Sequence, residues 1–302
     1  MDVDVYRRYY AYVRSDNPFQ RQARLLQSVW RAEQGYPPGE HGGQPAGARL
    51  PMPWARDTLA NFLTGTARQT VRAEVACAGQ AGKLIAQPRI YDNLLSSQPL
   101  CFNLFAELKH DLPLASVVTA DLTGKQAVRV TRLEFEHSPG RGDPRYTGDH
   151  SAFDVYIEYT LPAGARGFLG VEVKYHENLA GGNDRHRPRY DEVAGAMGCF
   201  RPDALPLLRQ PPLEQIWRDH LLAGALQHAD SFDEGAFVFL YPEGNRACAS
   251  AAARYGDCLN DHATFRVWTL EAVVAALMRH TSAEWVDRFA NRYLRFDRLA
   301  RL

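Results

Sequence analysis

Apolar and polar positions along the chain change rhythm once, near its middle. In the first hundred or so residues the spacing is helical. "PFQRQARLLQSVWRAEQG" carries apolar Leu25, Leu26, Val29 and Trp30 and ends on Gly35, which predicts a helix set off from a preceding one by the breaker "SDNPF". The Gly- and Pro-rich stretch from 35 to 53, "GYPPGEHGGQPAGARLPMP", predicts a loop. "WARDTLANFLTGTARQTVRAEVACA" is expected as one helix and "DNLLSSQPLCFNLFAELKHD" as a shorter one, with Leu100, Asn103, Leu104 and Glu107 at helical spacing. The period then drops to two. "AVRVTRLEFEHS", "FDVYIEYTL" and "FLGVEVKYHE" predict three strands, the last two joined by the short loop "PAGARG". A loop and short helix follow, then the amphipathic helix "LEQIWRDHLLAGALQHAD", the wholly apolar strand "GAFVFLYPE", a strand and helix in "TFRVWTLEAVVAALMRH", and a closing helix. This order predicts a mixed-sheet α/β domain over 51–302, preceded by a helical extension and loop over 1–50.

Composition narrows the class. The chain has 302 residues, 45% of them hydrophobic and 23% charged, enough for a full core. No apolar run reaches the length of a membrane span, and the N-terminus lacks the apolar centre of a signal peptide. The five cysteines are widely spaced without a C-x-x-C, so free thiols and a cytoplasmic location are expected. The net charge of zero gives no electrostatic signature of nucleic acid and does not exclude it. Of 35 basic residues only Lys83, Lys109, Lys125 and Lys174 are lysines. No H-E-x-x-H, G-x-S-x-G or Walker A sequence is present, which argues against zinc-protease, α/β-hydrolase and P-loop chemistry. His220 and His228 lie too far apart on their helix to share a metal, and they, Trp217 and Trp268 read as structural.

One hairpin carries charge where a sheet prefers none. Asp154 opens one strand, and Glu172 and Lys174 sit inside its otherwise apolar neighbour, "FLGVEVKY". Alternation puts Glu172 and Lys174 on one face and Val171, Val173 and Tyr175 on the other. Folding the strands about Gly164 sets Asp154 opposite Lys174 and Glu172 opposite Tyr156. A buried charge that loses its partner costs roughly 3–5 kcal/mol. Two acids therefore call for something positive between them, and a divalent cation with an adjacent ammonium meets that need. The alternatives are a solvated surface ion pair, which predicts Glu172 and Lys174 well exposed, and a module that binds without cutting.

With Asp154 followed by "EVK" 18 residues on, inside this order of elements, the chain resembles the PD-(D/E)xK nuclease superfamily over roughly residues 90–245. Within it, "NLLSSQPLCFNLF", "GDHSAFDVYIEY" and "QIWRDHLLAGAL" are similar to bacterial restriction-type endonucleases. Phe153 stands where the signature has proline. The resemblance implies a restriction-endonuclease-like α-β-β-β-α-β core and metal-dependent hydrolysis of phosphodiester bonds in DNA, with RNA left open. It implies that Asp154, Glu172 and the Val173 carbonyl hold Mg²⁺, with Mn²⁺ able to substitute, and that Lys174 positions or deprotonates the attacking water. Glu107, from the preceding helix, and Gln215, from the following one, are the further catalytic candidates, with Glu136 and Asp149 behind them. Arg141, Arg145, Arg185, Arg187 and Arg189, in loops flanking the strands, suit phosphate contacts. A homodimer would allow both strands of a duplex to be cut.

Overall fold

A computed structural model describes residues 3–181 and 186–302. Its centre is a five-stranded sheet, β3 (Arg129–His137), β4 (Phe153–Thr160), β5 (Arg166–Val173), β6 (Glu234–Tyr241) and β7 (Phe265–Thr269), in spatial order 3-4-5-6-7. The β3–β4–β5 pairs are antiparallel, and β6 and β7 join in parallel. Parallel neighbours need a crossover. The connection from β5 to β6 contains α8 (Pro188–Met197), a short α9 (Leu205–Leu208) and α10 (Glu214–Ala229), and that from β6 to β7 contains α11 (Arg246–Gly256).

Both faces of the sheet are covered, so β5 and β6 read as almost continuous apolar runs. One face, with Val155, Ile157, Val171, Val173 and Val238, packs on α6 (Ser97–His110), α7 (Leu112–Thr123), α12 (Leu270–His280) and α13 (Glu284–Tyr293). The other, with Tyr156, Phe168, Phe237 and Phe239, packs on α10 and α11.

The first fifty residues belong to the same core. After α1 (Val3–Arg8), α2 (Pro18–Glu33) starts at a capping box between Asn17 and Gln20 and packs on α13. Gln27 of α2 donates to the Tyr175 hydroxyl at 3.0 Å and to the Arg292 carbonyl at 2.8 Å. Arg292, fully buried, donates to the Asn61 carbonyl at 2.6 Å and lies over the Trp30 ring. The glycine-rich stretch expected as loop contains a small hairpin, β1 (Gly39–His41) and β2 (Gln44–Ala46), turned through Gly42 and Gly43, both in the left-handed region. The helix expected across 54–78 is two. α3 (Trp54–Thr58) stops at left-handed Leu59, and α4 (Gly65–Ala81) restarts where Thr64 caps the Ala67 N–H. A last correction concerns the β4–β5 hairpin. Its turn is centred on left-handed Ala163 and closed by Leu161 N–H on the Ala165 carbonyl, so Tyr156 pairs with Gly170. The same register continued places Asp154 opposite Glu172, not Lys174.

Candidate active site

The pairing of β4 with β5 ends before either strand does. Val155 pairs with Val171, and although β4 continues to Phe153 beside β3 and β5 continues to Val173, the β4–β5 ladder does not extend to Val173. The Asp154 side chain fills this place, accepting the Val173 N–H at 2.8 Å. A residue's N–H and C=O leave a strand on the same side. The Val173 carbonyl therefore opens towards the gap that Asp154 occupies. On the other side Lys174 N–H bonds the Leu240 carbonyl at 2.8 Å, so β6 continues to hold β5 straight.

Glu172 and Lys174 face α10, as the alternation predicts. They are 6% and 7% exposed, which rules out a solvated surface pair. The Lys174 ammonium donates to Glu172 Oε1 at 2.5 Å, and Gln215 Nε2 of α10 donates to the same oxygen at 2.7 Å. The close backbone approach upstream depends on Gly170, where a Cβ would stand 2.4 Å from the Phe153 ring.

More acid surrounds this pair than the hairpin alone supplies. Continuing the β3–β4 register sets Glu136 opposite Asp154, so Glu136, Asp154 and Glu172 form a row across three strands. Glu136 has left-handed backbone, φ 49°, which is uncommon for a residue with a side chain. Its carboxylate accepts from Gln98 at the start of α6. Asp219, four residues after Gln215 on α10, is 4% exposed, and among the described residues its Oδ2 has no hydrogen-bond partner. Glu177 lies close beyond Lys174 and accepts the Tyr175 N–H at 2.7 Å. Asn245, capping α11, donates to the carbonyls of both Tyr175 and Glu177 and fixes this segment.

The electrostatics follow from this crowding. Burial, then the Glu172 and Glu136 charges, hold the Asp154 carboxyl well above its ordinary range. Burial also pushes Glu136 up to about 7; the Gln98 hydrogen bond opposes this and Glu172 adds to it. Asp219 is raised by burial and then by Glu172. Burial alone would lower Lys174, but Glu172, Glu177 and Asp154 hold its ammonium above the usual lysine range.

Such an excess of hard oxygen donors over a single cation suits a divalent ion of the Mg²⁺ type, which takes one or two carboxylates and completes its shell with water and substrate oxygens. Asp154, Glu172 and the Val173 carbonyl can supply the protein's share. Among the described residues no set of three or more His, Cys, Asp or Glu side chains forms an all-protein metal cage.

The family model of the PD-(D/E)XK nuclease superfamily matches residues 14–295, nearly the whole chain. The chain belongs to the PD-(D/E)XK nuclease superfamily. The match takes in the α2 segment together with the sheet, in keeping with their shared core. No curated protein and no solved structure matches the chain. In this PD-(D/E)XK chain the mixed sheet flanked by helices is the restriction-endonuclease-like fold, and no described helix is long and apolar enough to cross a membrane.

The remaining candidates fall elsewhere. Glu107 is nine residues along α6 from Gln98, on the order of 13 Å by helix rise, and is half-buried away from the carboxylate row. α6 brings its N-terminal end to the site, through Gln98 and Cys101, and Glu107 sits towards the other end. Asp149 anchors a turn. Burial would raise its carboxyl, but hydrogen bonds from Tyr190, Ser151 and Thr147 hold it low. The arginines tie loops together. Arg141 donates to the Gly82 carbonyl, Arg187 to Gly148, and Arg189 to the Tyr146 and Arg145 carbonyls, while Arg145 pairs with Asp143 at 2.7 Å. Arg185 lies outside the described residues. His220 is a buried neutral histidine between Tyr255 and Thr264, its pKa pulled by burial down to about 3. Asp219 and Glu177 escaped the sequence reading. The available signal for Asp219 was its i, i+4 relation to Gln215.

Proposed function

We propose that this chain is an endonuclease that hydrolyses phosphodiester bonds in DNA with Mg²⁺, for which Mn²⁺ can substitute. The observation that carries the reading is the buried Glu172–Lys174 pair set beside Asp154 where the pairing of β4 with β5 ends. In this reading Asp154, Glu172 and the Val173 carbonyl are the ligands. A bound divalent cation supplies Lewis-acid polarisation of the phosphodiester and neutralises the charge developed in the transition state. Lys174 stays an ammonium amid its carboxylates, so it donates hydrogen bonds to the attacking water and to the phosphate. The sequence reading also allowed Lys174 to take a proton from that water, but the surrounding negative charge opposes deprotonation. Gln215 fixes the rotamer of Glu172 by occupying Oε1 and leaves Oε2 for the cation. The attacking water would form the new P–O bond in line as the ester P–O bond breaks, its proton passing to solvent and the leaving oxygen taking one from solvent.

Supercoiled plasmid, linear duplex and single-stranded DNA incubated with Mg²⁺, Mn²⁺ or EDTA test this. The wild type is expected to cut in either metal and not in EDTA, and Lys174→Ala to lose at least about a hundredfold in rate. No metal-dependent cutting of any DNA form by folded protein overturns the reading. RNA in the same assay decides the substrate class.

A further inference from the structure

Beside the carboxylate row lies a second feature with no part in the chemistry above. A cavity of about 350 Å³ is enclosed by the segment after α1, the β1–β2 hairpin, α2 and the end of the E-x-K segment. Tyr10, Tyr12, Arg24, His41, Arg49 and His176 give it its character, and no described lining residue is acidic. This contrasts with the acid-rich site next door. His176 is two residues past Lys174, so their Cα atoms are at most about 7 Å apart.

The cavity is built rather than incidental. Gly47 carries the hairpin into contact with the α1–α2 link; a Cβ there would stand 1.9 Å from the Tyr9 carbonyl and 2.6 Å from the Ser28 hydroxyl. Its N–H bonds the Tyr10 carbonyl at 2.8 Å, and its carbonyl accepts from Arg31 Nε at 2.9 Å. The two guanidinium groups are fixed from behind. Arg24 makes two bonds to Asp16, at 2.6 and 2.9 Å, and Arg49 bonds Asp92 at 2.7 Å. Gln20 holds the His176 carbonyl at 3.1 Å. The Nδ1 atom of His176 is buried and, among the described residues, has no hydrogen-bond partner. Tyr10 and Tyr12 keep 51% and 46% of their surface exposed on the rim.

Exposed tyrosine rings and guanidiniums held in place are groups that meet a base and a phosphate. A volume near the lower limit for small-ligand sites suits one such unit. Resting on the nuclease reading of the neighbouring site, we propose that this cavity takes a single unpaired nucleotide of the substrate strand, next to the phosphate presented to Asp154, Glu172 and Lys174. A base paired inside a duplex cannot offer its face to Tyr10 or Tyr12. The preferred substrate is therefore single-stranded, frayed or branched.

Fluorescence anisotropy of a fluorescein-labelled oligonucleotide, alone or annealed to its complement, in EDTA, isolates binding from cleavage. The proteins are wild type, the double variant Tyr10→Ala/Tyr12→Ala and Lys174→Ala, with thermal melts as the folding control. Wild type is expected to prefer the single strand. The tyrosine double variant loses about 10- to 100-fold on the single strand and less than about twofold on the duplex, since aromatic stacking acts on unpaired bases. Lys174→Ala keeps the single-strand preference. Equal binding of both forms by wild type, equal losses on both forms in the double variant, or no loss at all overturns the proposal. So does displacement of the strand by free dAMP at a concentration comparable to the strand's own Kd, which assigns the cavity to mononucleotides. Tyrosine-dependent single-strand binding without any metal-dependent cutting leaves the pocket standing and removes the nuclease reading; cutting with tyrosine-independent binding does the reverse.

Discussion

Glu136→Gln is expected to stabilise the metal-free protein at neutral pH and to flatten its pH dependence. Glu136 stands opposite Asp154 and accepts a hydrogen bond from Gln98, and its carboxyl is pushed from 4.5 up to about 7, first by burial and further by Glu172, against the Gln98 bond. The unfolded chain releases this proton near pH 4.5, whereas the folded protein keeps it to about pH 7. Between those limits the folded state binds more protons, so stability falls as pH rises through the window and is level above it. Each pKa unit corresponds to ~1.4 kcal/mol, so ionising Glu136 in the fold costs about 3 kcal/mol. Glutamine has nearly the same volume, cannot ionise, and still offers Oε1 to Gln98. The variant should match wild type near pH 4 and exceed it by about 2–3 kcal/mol near pH 8. Urea unfolding in EDTA across that range measures both, with equal m-values as the check that the unfolded states are alike. Asp154 and Asp219 are also raised, so wild type keeps a slope of its own and the difference between the proteins is the decisive quantity. A difference that stays constant with pH, or a variant less stable near pH 8, refutes the picture of Glu136 as a half-buried member of a repelling carboxylate row.

Three further outcomes follow from the same geometry. Asp154→Asn can still accept the Val173 N–H and should fold, but it should lose both cleavage and the Mg²⁺-induced rise in melting temperature expected of wild type; an unchanged rise places the cation elsewhere. Lys174→Met leaves buried Glu172 without its ammonium and is expected to cost roughly 3–5 kcal/mol in EDTA, most of it recovered in the double variant Glu172→Gln/Lys174→Met; chemical denaturation of the four proteins of that cycle gives the coupling, and additivity would count against the pair. Arg292→Met, which strips partners from Gln27 and from both the carbonyl and side-chain oxygens of Asn61, should destabilise by about 3 kcal/mol or more by urea unfolding, and a loss under about 1 kcal/mol would mean that α2 is not tied to the core through this arginine.

How far the site was legible depended on which symmetry of the chain carried each residue. Glu172 and Lys174 were readable because a strand has period two: Val171, Val173 and Tyr175 claim one face of β5, which leaves both charges on the other. The hairpin register was not readable to the residue. Centring the turn on Ala163 instead of Gly164 moves every cross-strand partner by two, and a shift of two keeps each side chain on its face while changing what it meets. That is why the face assignment survived and the pairing of Asp154 with Lys174 did not. On helices the period is equally clear, but it says nothing about which end approaches the sheet. Gln215 lies at the end of α10 that meets Glu172, whereas Glu107 lies towards the end of α6 away from Gln98 and the carboxylate row. Glu136 and Asp219 were harder for a different reason. Each owes its burial to elements distant in sequence, β4 and α6 for one, the β5 charges for the other, and their local windows are ordinarily polar.

These acids also explain why the sheet tolerates charge at this end. In the middle of the β4–β5 pairing the face towards α10 carries Tyr156, Phe168 and Gly170, with the Phe153 ring against the last. Where the β4–β5 pairing ends, the Val173 amide and carbonyl need a partner that the ladder no longer supplies, and Asp154 answers the amide. A carboxylate row with one ammonium is an unstable arrangement by itself and a favourable one for a dication, so under the proposed function the ligand carboxylates are the ones whose neutral replacement should strengthen the metal-free protein. If Glu136→Gln and Asp154→Asn each raise metal-free stability while lowering the response to Mg²⁺, the strain and the chemistry reside in the same atoms. If either variant stabilises the protein and leaves the Mg²⁺ response intact, that carboxylate belongs to the fold alone.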